Sequence, residues 1–132
     1  MKILVDTSVW SLVLRRKNKT EHTDALSQLI LDGLVVLIGP VMQEVLSGIS
    51  ERIVFDELKE KLMQFDMPQI TVNDYQLAAE FFNTCRRNGI QGSHTDFLIC
   101  AAAHNRNLMI YTTDGDFDHY SKYIPTELYK PQ

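Results

Sequence analysis

The 132-residue sequence predicts an α/β fold, a central parallel β-sheet of about four to five short strands flanked by helices. Three observations carry that prediction. Apolar runs of strand length recur along the chain, they alternate with longer stretches at helical spacing, and no repeat, low-complexity tract or linker divides them. Residues 1–132 are therefore expected to form one domain around a single continuous core. In open sheets of this kind ligands bind at the carboxyl ends of the strands.

The elements follow in order. Residues 2–5 form a short buried strand, and Asp6-Thr7-Ser8 opens a helix carrying Val9, Trp10, Leu12, Val13 and Leu14. That helix runs into the basic cluster Arg15, Arg16, Lys17, Lys19. A helix over about residues 21–32 stops at Gly33, where a C-terminal glycine belongs. Residues 34–38 form a second strand, and Gly39-Pro40 starts the helix holding Glu44 in its first turn. Val54, Leu58, Leu62 and Phe65 mark the next helix, with Glu57 and Lys61 outside and Pro68 beyond its end. Ile70 to Val72 is expected as a short strand, with Asn73 and Gln76 capping a helix that ends near Asn88-Gly89. Residues 95–106 make the most apolar helix, 108–112 a strand, 117–122 a short helix and 127–129 an edge strand.

Composition narrows the class. At 45% hydrophobic and 23% charged the chain resembles an ordinary globular protein, and no segment has the length of a membrane span, which points to the cytoplasm. Cys85 and Cys100 fall in helical apolar patterns and read as buried thiols rather than a bridge. The net charge of −4 comes from 13 basic and 17 acidic side chains. Setting aside four acids as ligands leaves the remainder balanced, so the total does not exclude a nucleic-acid substrate.

Those four acids are Asp6, Glu44, Asp96 and Asp114. Each has a structural reading of its own. Asp6 is a helix N-cap, and Glu44 an acid favoured by a helix dipole. Asp96 is the third helical residue of a capping box begun by Ser93, and Asp114 belongs to an Asp-Gly turn. Together they fall on one rim of one predicted sheet. Carboxylates gathered there repel one another unless a cation joins them or some stay protonated. Hard oxygen ligands suit Mg²⁺ or Mn²⁺, and the chemistry such ions support is phosphoryl transfer.

Four segments in order, Ile3-Leu4-Val5-Asp6-Thr7-Ser8, Glu44-Val45-Leu46-Ser47-Gly48, Asp96-Phe97-Leu98-Ile99-Cys100-Ala101-Ala102-Ala103 and Thr113-Asp114-Gly115-Asp116-Phe117, resemble the PIN-domain ribonucleases of the VapC toxin type. The resemblance spans essentially the whole chain. It implies a Mg²⁺- or Mn²⁺-dependent endoribonuclease, with one or two ions, acting as the toxin of a type II toxin–antitoxin pair. It further implies an RNA substrate, a homodimer, and a protein antitoxin whose segment blocks the acidic cleft. Asp6 and Asp96 match the principal metal ligands, and Glu44 and Asp114 the acids that hold metal directly or through water. Asp116 is a reserve ligand, while Thr7 and Ser8 match positions that brace the first aspartate or touch phosphate.

Hydrolysis of this kind needs no histidine base. His94 stands nearest the acids, and His22, His104 and His119 read as ordinary helix or loop residues. Arg15, Arg16, Lys17 and Lys19, and then Arg86 with Arg87, are the candidate RNA contacts, although a basic helix end is also favoured by the dipole. Trp10, Tyr75, Tyr111 and Tyr120 are candidate stacking residues, with Trp10 also readable as a core or interface residue. Toprim enzymes place a glutamate where Asp6 stands. Haloacid-dehalogenase-like phosphatases need an aspartate where Ser8 stands, and receiver domains need an adjacent acid pair near the first strand. The rivals that remain are a catalytically silent PIN-like module binding RNA or protein and a housekeeping nuclease of the same fold.

Overall fold

Four strands, β1 (Ile3–Val5), β2 (Val35–Val36), β3 (Met109–Tyr111) and β4 (Leu128–Tyr129), pair in parallel in the order β2-β1-β3-β4. The computed structural model describes residues 1–15 and 20–131. Seven helices among the described residues surround the sheet: α1 (Thr7–Arg15), α2 (Glu21–Leu31), α3 (Gly39–Leu46), α4 (Arg52–Leu62), α5 (Val72–Arg87), α6 (His94–Arg106) and α7 (Asp116–Tyr120). The chain leaves β1 towards one edge to make β2, then returns to add β3 on β1's other side. That reversal creates a switch point between β1 and β3, the place where open parallel sheets carry their ligand crevice.

The register places the crevice. Val5 pairs with Tyr111, and the Asp6 amide donates to the Tyr111 carbonyl at 2.9 Å, so both strands end level. Beneath them α6 is buried along Phe97 to Ala103 and lies between α5 and β3. Burying each of Phe97, Leu98 and Ile99 stabilises the fold by roughly 2 kcal/mol. The three alanines after them let α6 approach its neighbours closely. Cys85 on α5 and Cys100 on α6 are both buried free thiols, and burial pushes both thiol pKa values up. Trp10 is buried on the other helix layer with its ring 5.4 Å from Phe65, so it is a core residue and not a base-stacking one.

Three local expectations fail for identifiable reasons. Ile70 to Val72 is not a strand. Thr71 caps α5 instead, its hydroxyl accepting from the Asp74 amide while Asp74 accepts from the Thr71 amide at 2.8 Å. This capping box supplants the expected Asn73–Gln76 cap. The sheet edge is met earlier, by an isolated parallel bridge between Val36 and Asp66. Glu44 is the sixth residue of α3 rather than a first-turn acid, because a helix that starts at Gly39 completes its first turn before Glu44.

Asp74 has a second task that sequence patterning does not announce. It is wholly buried and accepts two bonds of 2.8 Å from the Arg106 guanidinium and one of 2.8 Å from Asn105. Arg106 spends its remaining reach on the Gln69 and Ala102 carbonyls. The start of α5 is thereby clamped to the end of α6, and α6 closes on Asn107 in the left-handed region at φ 54°. The hydrogen bonds from Arg106, with those from Asn105 and Thr71, hold the Asp74 carboxyl well below the usual carboxylate range despite its burial. A depressed carboxylate contributes stability above its unfolded value, about 4, that is lost as pH falls below it. Asp74→Asn is expected to cost roughly 3 kcal/mol in urea denaturation at pH 7. The gap to wild type should narrow steadily as the pH is lowered below about 4.

Candidate active site

Asp6 follows β1 and is 5% exposed, the only carboxylate besides Asp74 buried to that degree among the described residues. Its carbonyl accepts from the Val9 and Trp10 amides and starts α1. Its carboxylate does not cap that helix. Oδ2 accepts instead from two hydroxyls, Ser8 Oγ and Thr112 Oγ1, each at 2.8 Å. Those hydroxyls in turn accept backbone amides at 3.0 Å, Ser8 from Thr113 and Thr112 from Asp114. Asp6 thus holds the loop after β3 through two relays.

Asp114 rides on that loop. Its Oδ1 accepts from the Asp116 amide at 2.9 Å, an Asx turn that leads into α7, and Asp116 itself is exposed. Asp96 enters from the start of α6. Ser93 caps this helix, its Oγ accepting from the Asp96 amide at 3.0 Å. The expected reciprocal half of the capping box is missing, because the Asp96 carboxylate turns away and its Oδ2 accepts from the Tyr120 hydroxyl at 2.7 Å. Glu44 reaches the rim from α3 and is exposed, with Thr7 Oγ1 donating to its Oε1 at 3.1 Å.

Asp6, Asp96 and Asp114 therefore share a pattern. Each has one carboxylate oxygen fixed by a protein donor, and among the described residues no protein donor holds the other. The free oxygens are not sealed in, since Trp10 Nε1 is the one buried side-chain polar atom without a partner among those residues. No ion pair among the described residues involves Asp6, Glu44, Asp96 or Asp114. The charges do feel one another. Burial raises the Asp96 carboxyl above the ordinary range, the Tyr120 bond opposes this, and repulsion from Asp6 and Asp114 adds to it. The carboxylates nonetheless do not close into a cage: among the described residues no three His, Cys, Asp or Glu side chains stand close enough to grip one ion.

Thr112 and Tyr120 are the site neighbours that sequence reasoning overlooked. Tyr120 read as a stacking candidate, but it is fully buried beside Phe97 and Phe117. Tyr111 is likewise buried, its hydroxyl 2.6 Å from His22 Nδ1. Of the tyrosines named for stacking, Tyr75 is exposed. His94 lies flat on Phe82, with ring centroids 5.0 Å apart, and makes no bond to an acid. Arg86 sits over the same Phe82 ring, and Arg87 donates to Thr84. Arg16, Lys17, Lys19 and the Arg15 side chain lie outside the described residues.

The PIN-domain family model matches residues 3–123, and the chain belongs to the PIN-domain family. Among curated proteins none matches the chain. Its fold resembles that of FitAcB from Neisseria gonorrhoeae, at a TM-score of 0.77 and 22% identity over 98% of this chain and 97% of that one. A toxin–antitoxin complex from Klebsiella pneumoniae aligns at a TM-score of 0.73 and 20% identity, covering 99% and 98%. VapC20 of Mycobacterium tuberculosis, a toxin that cleaves the sarcin–ricin loop, aligns at 0.69 and 20% identity, covering 96% and 99%.

The clustered charge has a measurable cost in ion-free protein. A carboxyl raised in the native state keeps a proton that the unfolded chain has released, so stability falls as pH rises from about 4 through the raised value. Asp96→Asn keeps an acceptor for Tyr120 and removes the charge. In EDTA at pH 7 it is expected to raise Tm by a few degrees in scanning calorimetry, and the gain should vanish below pH 4.

Proposed function

We propose that residues 1–132 form one PIN-like domain acting as a divalent-metal-dependent endoribonuclease, the toxin of a type II toxin–antitoxin pair. The observation that carries this reading is the set of half-held carboxylates, Asp6, Asp96 and Asp114, at the switch point between β1 and β3. Their unheld oxygens are hard donors with no ion-pairing partner among the described residues, a donor type that suits Mg²⁺ or Mn²⁺ better than a softer metal. Asp6 and Asp96 would hold the ion, with Asp114 and Glu44 as direct or water-linked ligands and Asp116 in reserve. One or two ions fit that donor count. The chemistry such an ion supplies when bound is charge relief on the phosphodiester and a lowered pKa for the attacking water.

The chain's own residues do the rest. Ser8 and Thr112 keep Asp6 aimed, and Thr7 holds Glu44 at the rim. Cys100 lies beneath the acids as a buried thiol whose pKa burial pushes up. The basic run of Arg15, Arg16, Lys17 and Lys19 begins at the far end of α1, about 13 Å of helix from Asp6. That is the reach of a few nucleotides, and it suits these residues to the RNA backbone.

A protein antitoxin is the proposed partner. A groove of about 470 Å³, lined by Leu14, Val54 and Leu58 together with Glu44, Glu57 and Lys61, suits an antitoxin segment of mixed polarity that then enters the cleft. The exposed Val72 and Tyr75 on α5 suit the proposed homodimer contact. The proposed compartment is the cytoplasm, where such an RNA substrate resides. Among the described residues no helix is long and apolar enough to cross a membrane. The open arrangement of the acids favours one rival, a silent PIN-like module that binds RNA or protein without cutting.

One comparison separates the two. Mn²⁺ titrated calorimetrically into EDTA-stripped protein should bind the wild type and fail to bind folded Asp96→Asn. RNA cleavage should require Mg²⁺ or Mn²⁺ and fall by roughly 10²–10³ in Asp6→Asn or Asp96→Asn. Wild-type cutting by both variants would refute the ligand assignment, and absence of Mn²⁺ binding in the wild type would leave the silent module.

A further inference from the structure

Tyr120 is an unusual neighbour for a site acid. It is fully buried at the end of α7, yet its hydroxyl reaches Asp96 Oδ2 at 2.7 Å across to the first turn of α6. Two further observations show how it is held there. Its ring sits between Phe97 and Phe117, with centroids 4.8 Å and 5.2 Å away. Its tip rests against Gly92, in the turn that precedes α6: a Cβ on Gly92 would stand 2.5 Å from the Tyr120 hydroxyl, 2.8 Å from its Cζ and 2.9 Å from Phe97 Cε2. No other glycine has an atom within 4 Å of such a Cβ, and Gly92 has no left-handed backbone to explain it. The bare Cα is there for the phenol.

We propose that Tyr120, seated on Gly92, is the positioning residue for Asp96: it takes the Asp96 carboxylate out of the capping box and turns its second oxygen into the cleft. The physical choice is between two donors. An acid three residues after Ser93 normally accepts from the cap's own amide, which would fold Asp96 back on its helix and away from Asp6. A buried phenol, rigid on two χ angles and fenced by aromatic rings, offers a charge-assisted bond that fixes the rotamer instead. The role rests on the metal-site reading above for its consequence, and on the geometry alone for the rotamer.

The test pairs Tyr120→Phe, which deletes one oxygen inside an intact aromatic cluster, with Gly92→Ala, which displaces the phenol while keeping it. In ion-free protein, three-bond couplings across the Asp96 χ1 torsion should report one rotamer in the wild type and averaged rotamers in both variants. Mn²⁺ affinity by calorimetry should fall about ten- to hundredfold in both, while Tyr120→Phe melts close to wild type. Wild-type couplings in folded Tyr120→Phe would overturn the positioning role without reference to metal. Averaged couplings with unchanged Mn²⁺ affinity would overturn it as well. A wild type that binds no Mn²⁺ while its variants lose the single rotamer would overturn the metal reading instead and uphold the rotamer role.

Discussion

The pairing of β1 with β3 governs everything at the acidic rim. The two strands are each three residues long, and they come from opposite ends of the chain. Parallel pairing makes their carboxyl ends level, and the Asp6 amide extends the ladder by one bond to Tyr111. A slip of one residue would turn the Asp6 side chain to the opposite face of the sheet. It would also part Asp6 from Thr112, and with it the loop that carries Asp114. Short strands define register weakly by themselves. Here the complete burial of Leu4, Val5, Ile110 and Tyr111 on both faces supplies the specificity that length does not.

Around that register the protein uses neutral donors where cations might be expected. Hydroxyls of Ser8, Thr112, Thr7 and Tyr120 and the amide of Asp116 orient the acids, while the partly buried guanidinium of Arg106 is committed to Asp74 some ten residues down α6. A lysine or arginine at the rim would neutralise the carboxylates and occupy their free oxygens. Hydroxyls fix direction without cancelling charge, which keeps the negative potential in the crevice high. The two acids on α5 and α6 thus illustrate opposite solutions. Asp74 is fully paired and serves the fold, whereas Asp96 is half-paired and destabilised by its neighbours.

Most of the architecture was legible because the strands are continuous apolar runs and α6 is almost uniformly apolar. The placement of Asp6 and Asp114 at strand ends followed from the same runs. What escaped was decided by contacts between distant segments. Thr71 and Asn73 are both plausible caps, and the choice between them is made by Arg106, 35 residues beyond Thr71, which needs Asp74 at the third helical position. Ile70 looks like a strand residue but lies outside any paired strand, because the edge beside β2 is met at Asp66. Ser93 to Asp96 looks like a complete capping box. Only the packed position of Tyr120, 24 residues on, reveals that half of it is given up. Glu44 was misplaced for a simpler cause: the helix does start at Gly39 as expected, and that start puts its sixth residue in the second turn.

The two thiols of the α5–α6 layer offer something beyond packing. They are the chain's only cysteines, both unbridged and fully buried, one on each of the two helices whose contact underlies the acids. A water-soluble thiol reagent can reach either one only when that layer parts, so its rate of uptake is a clock for local opening. The chain therefore carries, without any added label, a chemical record of how often the floor beneath its acidic crevice opens.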